Sequence, residues 1–112
     1  MLFANPFDII KKVEDLYYLK PGDVVGKQRG RGGDIKSEAR AIAMYVTREV
    51  TPYSLHDIAD HFDRDHSSVL HNCKKIEKIV QEGSNPRIGR AILILRDTFK
   101  VDQYENRENQ RI

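Results

Sequence analysis

Tryptophan is absent and cysteine occurs once, at Cys73, so no internal disulfide is available to hold the chain together. No apolar run approaches the roughly 18 residues of a membrane helix. The densest patch, "AILIL" at 91–95, is flanked by Arg90 and Arg96. The opening "MLFANPFDIIKK" lacks both the basic start and the long apolar stretch of a signal peptide, which makes the cytoplasm the expected compartment. No internal repeat recurs at a fixed period, which argues against a solenoid. A strong excess of one charge is also missing, since 19 Lys and Arg meet 17 Asp and Glu for a formal net charge of +2.

What is present fits one folded domain of 112 residues, with 39% apolar and 32% charged residues and a mean hydropathy of −0.60. The charge is unevenly spread. Residues 20–48 carry seven Lys or Arg against three Asp or Glu, whereas residues 49–80 carry four against six. A local basic excess says more about an acidic partner than the net charge does.

Asn5-Pro6 is a cap and first-turn pair, and Phe7, Ile10, Val13, Leu16 and Tyr17 recur at helical spacing, which predicts a helix to about Tyr18 stopped by "KPG". A short helical turn is expected at 21–25. A basic loop follows over 26–36, where "GKQRGRGGDIK" holds four Gly and four cationic residues. "SEARAIAMYVTREV" reads as a helix with Ser37 as its cap and Ala39, Ile42, Ala43, Val46 and Val50 on one stripe. Ser54 and Asp57 form a capping box before "LHDIADHF", whose Leu55, Ile58, Ala59 and Phe62 face inward. Asp65 can cap another helix almost at once, which makes a helix-turn-helix pattern. Asn85-Pro86 opens a last helix over about 86–100, leaving 101–112 as a polar tail. The expected architecture is all-α, with five or six helices in a single domain over 1–100.

The stretch "DRDHSSVLHNCKK" at 63–75 carries the chemistry. On a helix at about 100° per residue, Val69, Cys73, Ile76 and Val80 share one arc of roughly 60°, while Ser67, His71, Lys74 and Lys78 share another. Short hydrogen-bonding groups first and lysines later suit a helix entering the DNA major groove, with its first turn at base edges and its cations at phosphates. Asp65 can accept from a cytosine amino group, and His66 and His71 can donate to a purine edge. Ser67 and Ser68 serve either a base or a phosphate. Arg29 and Arg31, on the Gly-rich loop, are the type of side chain that enters a narrow minor groove.

"ARAIAMYVTREVT", "SLHDIADHF" and "RDHSSVLH", with the preceding "KQRGR", resemble the C-terminal DNA-binding domain of DnaA, the bacterial chromosomal replication initiator. The resemblance covers about residues 7–80. It implies a Trp-repressor-like helical domain that binds a short asymmetric box in duplex DNA in replication initiation or its regulation, associated with the nucleoid. It implies Arg29, with Arg31 beside it, in the minor groove and Asp65, His66, Ser67 and His71 as major-groove readers. Phosphate contacts are implied for Arg40, Arg48, Ser54, Ser68 and Lys75, with Leu55 and His56 near the groove edge; Lys74 and Lys78 are expected at phosphates from their place on the ridge alone. This chain differs in having Ser67-Ser68 where the family carries a Thr pair, and in lacking the Pro common at position 56.

Other chemistries fit less well. His56, His61, His66 and His71 recur every five residues, which turns a helix by about 140° and puts them on different faces, so no metal site is expected. Cys73 lies on the apolar seam, where an inert core thiol explains it better than a nucleophile. "GDVVGKQ" fails as a Walker A loop in its spacer and in having Gln28 after the Lys, so neither nucleotide nor other cofactor is expected. Two classes stand beside non-catalytic DNA binding. One is a protein-interaction module of phage, plasmid or mobile-element type that uses the very apolar last helix; the other is a small metal-dependent nuclease built on the histidines.

Overall fold

The computed structural model describes residues 4–25 and 33–111, with the backbone alone at 33, 34 and 100–111. Asn5 turns the chain into its first helix. Its side chain accepts from the Phe7 N–H at 2.8 Å, and Pro6 fills a position that needs no donor. α1 (Pro6–Leu16) buries Ile9, Ile10 and Val13. It stops short of the expected Tyr18, because Tyr18 takes a left-handed φ of 55° and the Leu19 N–H bonds back to the Glu14 carbonyl at 2.8 Å.

The helical turn expected at 21–25 is a non-helical reversal instead. Asp23 accepts from the Lys20 N–H at 2.9 Å, and the Glu14 carboxylate accepts from Gly22 and Val24 N–H at 2.9 and 3.3 Å. Glu14 can thus sit on the buried side of α1, only 6% exposed, because it satisfies two donors that the reversal leaves without backbone partners. Gly22, at φ 94°, takes a conformation that a side chain would strain.

α2 (Gly33–Val50) starts before Ser37, which lies exposed inside the helix rather than capping it, and so takes up the end of the expected 26–36 loop. The Lys36–Asp23 ion pair, at 3.6 Å, holds this early turn to the preceding reversal. α2 packs against every other helix. Its buried set therefore exceeds the expected stripe of Ala39, Ile42, Ala43, Val46 and Val50 and takes in Ala41, Met44 and Thr47 as well.

α3 (Leu55–Phe62) and α4 (His66–Glu82) follow, and Gly83 ends α4 at φ 63°. Asn85 opens α5 (Pro86–Arg111) by accepting from the Ile88 N–H at 3.2 Å. Ile88, Ala91, Ile92 and Leu95 are buried, and the helix continues to Arg111 through the stretch expected as a tail. Among the described residues there are five helices and no strand, an all-α fold.

Two guanidinium forks tie α5 to α2, a form of pairing in which geometry adds to charge. Arg96 meets Glu49 at 2.9 and 2.6 Å. Arg87 meets Glu38 at 3.0 and 2.7 Å, and the Tyr17 hydroxyl donates to the same carboxylate at 2.5 Å. The hydrogen bond from Arg87 lowers the Glu38 carboxyl below its ordinary 4.5, while burial and then Glu38 push the Tyr17 phenol well above its ordinary 10.0.

A depressed carboxyl stabilises the fold above the unfolded-state value and ceases to do so as pH falls through the folded one. A raised phenol stabilises below its unfolded-state value and stops as pH rises. The urea midpoint should therefore decline below pH 4.5 and again above pH 10.0. Glu38→Gln should flatten the acid limb and Tyr17→Phe the alkaline one, and denaturation series across both limits measure this.

Candidate nucleic-acid interface

Ser54 opens α3 with a reciprocal cap. Its Oγ accepts from the Asp57 N–H at 3.1 Å, and the Asp57 carboxylate accepts from the Ser54 N–H at 3.4 Å. Ile58, Ala59 and Phe62 go inward, leaving His56 and Asp57 exposed. α3 ends at Asp63, whose φ of 53° is left-handed; the Asp63 N–H bonds to Ala59 and Asp60 carbonyls, and the Arg64 N–H reaches the Ala59 carbonyl at 3.0 Å. This Schellman-type ending reverses the chain within three residues. Asp65 then caps α4, its Oδ1 accepting from the Ser68 N–H at 2.9 Å and from Ser67 Oγ at 3.4 Å.

α4 separates its faces as its sequence periodicity requires. Val69, Cys73 and Ile76 are buried and Val80, expected on the same seam, is only half-buried, while Ser67, His71, Lys74 and Lys78 form an exposed ridge with His66 and Lys75 beside it. Ser68 is half-buried. Asn72, on the flank, donates to the Ser68 carbonyl at 3.0 Å and lies 3.5 Å from the Met44 sulfur, which fixes the first turns of α4 against α2. Burial pushes the Cys73 thiol up against the pull of Arg48, as suits a core thiol.

The cations assigned to phosphates have different surroundings. Arg48 is exposed on α2 and shares a shallow depression of about 280 Å³ with Tyr45, Glu49, Cys73 and Glu77. Arg40 is half-buried, its Nε donating to the Val24 carbonyl at 2.8 Å. Burial and then the nearby Arg64 charge lower its pKa from the ordinary arginine value. Arg40 thus holds the residue that leads toward the basic loop. Lys75 stands near enough to Glu38 to add to the lowering of that carboxyl. Arg29 and Arg31 lie outside the described residues.

Sequence reasoning passed over Arg64, which with Asp63, Asp65 and Ser68 lines a depression of about 520 Å³ where the two helices meet. Its place between two aspartates in the turn was the available signal. The four histidines separate. His61 meets Phe7 edge-on at 5.3 Å and Tyr53 at 5.6 Å, His56 and His66 lie ring to ring at 4.3 Å, and His71 stands on the ridge. Among the described residues no three metal-ligating side chains converge, and no helix is long and apolar enough to cross a membrane.

Residues 6–76, which take in α3, the turn and the first part of α4, match the family model described as the bacterial dnaA protein helix-turn-helix. The chain belongs to this family. It is also 44% identical over 80 residues to the chromosomal replication initiator protein DnaA of Bifidobacterium animalis subsp. lactis (strain AD011), an alignment that takes in 70% of this chain and 13% of that protein. The DnaA-type match spans α1 to the middle of α4, so the exposed ridge begins inside it and α5 lies beyond it.

Proposed function

We propose that this chain binds duplex DNA at a DnaA-box-like sequence, without catalysis, in replication initiation or its regulation. The observation that carries this reading is the exposed Ser67–His71–Lys74–Lys78 ridge on a capped helix, opposite the buried Val69–Cys73–Ile76 seam. α4 enters the major groove by its N-terminal end, where His66, Ser67 and His71 meet base edges. Asp65 reads through Oδ2, since Oδ1 caps the helix. Ser68 and the Ser54 hydroxyl donate to phosphates, joined by Arg48, Lys74, Lys75 and Lys78. Arg40 contributes charge from a half-buried position, and Leu55 contributes only its backbone N–H. Arg29, with Arg31, reaches the adjacent minor groove.

Fluorescence anisotropy with a box duplex, a scrambled duplex and a single strand tests this. Preference for the box on the order of 10³ is expected. His71→Ala and Arg29→Ala should each remove about 1–3 kcal/mol of it. Equal affinity for box and scrambled duplexes would sink the reading.

A second reading is a protein-interaction module working through α5. Leu93 is 65% exposed, and a groove of about 400 Å³ opens between Leu16, Tyr18, Ile35, Arg90 and Ile94, with Tyr18 95% exposed. Such a module would keep its partner in His71→Ala.

A further inference from the structure

We infer that His56 is a positioning residue for His66: its ring is the platform that holds the first side chain of α4 in the orientation that reads a base edge. The inference rests on the DNA-binding reading above and goes beyond it by assigning His56 a duty other than contact with a phosphate. The two ring centroids lie 4.3 Å apart with their planes inclined by 36°. Both side chains are exposed, so this contact does not come from core packing.

The contact follows from the two caps. The Ser54–Asp57 box fixes the first turn of α3, on which His56 stands. Asp65 fixes the start of α4, and His66 is its first residue. The reversal at Asp63 brings the two helix starts together. An exposed histidine otherwise samples several staggered rotamers, whereas a side chain that discriminates between bases has to be held to within about 0.5 Å. A ring packed against His66 removes much of that freedom before DNA arrives. His71, the other ridge histidine, has no ring packed on it among the described residues.

His56→Ala and His56→Phe in the whole chain separate this role from a phosphate contact. Binding is read against the box duplex, a set of duplexes with one base pair changed at a time, and a scrambled duplex, each at two salt concentrations. His66 ring resonances are followed by proton–carbon NMR in the free protein. In His56→Ala, discrimination at the base pairs facing the start of α4 should fall by roughly three- to tenfold, the range a ring pair is worth. Scrambled-duplex affinity and salt slope should stay as they were, and the His66 ring resonances should move. His56→Phe, which keeps a ring and removes the imidazole, should restore the discrimination.

Uniform weakening on every duplex with a shallower salt slope in both variants would assign His56 to a phosphate and overturn the inference. Unchanged discrimination, or unmoved His66 resonances, in His56→Ala would overturn it too. Absence of any box preference in the unmodified protein would instead remove the DNA-binding proposal on which it stands.

Discussion

Phe62→Ala should cost about 3–5 kcal/mol of folding stability. That is a large part of the roughly 5–15 kcal/mol that holds a domain of this size. Phe62 heads the fully buried side chains by volume and has no exposed surface. It is also the last residue of α3, immediately before the left-handed Asp63. Removing the ring forfeits its transfer free energy and opens a cavity that relaxed helices refill only in part. The loss falls where α3 must end for α4 to begin in place, so duplex affinity should fall with stability. Phe62→Leu, which keeps most of the apolar volume, should cost roughly 1–2 kcal/mol. Urea midpoints measure both. A midpoint unchanged in Phe62→Ala would mean that the end of α3 is not anchored by this ring.

The parts of the fold that were legible in the sequence are those encoded over three or four residues. Asn5-Pro6, the Ser54–Asp57 box, Asp65 and Asn85 each cap where their spacing to the next N–H predicts, because a cap is a bond between near neighbours. The buried seam and exposed ridge of α4 were legible for the same reason. What escaped depends on residues far apart in the chain. Glu14 is acceptable on the inner face of α1 only because Gly22 and Val24 return to it. The start of α2 at Gly33 is held by Lys36 on Asp23, and no helical period shows that pairing. Arg40 reads as a free cation until Val24 is seen to occupy its Nε. His56 and His66 read as two unrelated members of a five-residue series until the Asp63 reversal brings their rings together.

Salt should weaken duplex binding steeply. With about six phosphates neutralised, log affinity falls against log salt with a slope near −5, so going from about 50 to 200 mM lowers affinity by roughly 10³. The ridge separates two quantities that this slope helps to distinguish. Lys74 and Lys78 are exposed beyond the first turn of α4, where a helix inserted by its N-terminal end meets the backbone of the groove. Lys74→Gln and Lys78→Gln should each make the slope shallower by about 1 while leaving the ratio of box to scrambled affinity nearly unchanged. His71→Ala should do the reverse, lowering the ratio at nearly constant slope, because a base contact releases no counterion. Anisotropy titrations at four salt concentrations give both quantities from the same samples. A flat salt response would remove phosphate, and with it duplex DNA, as the partner of this face. The apolar groove beside α5 would then be the surface to follow.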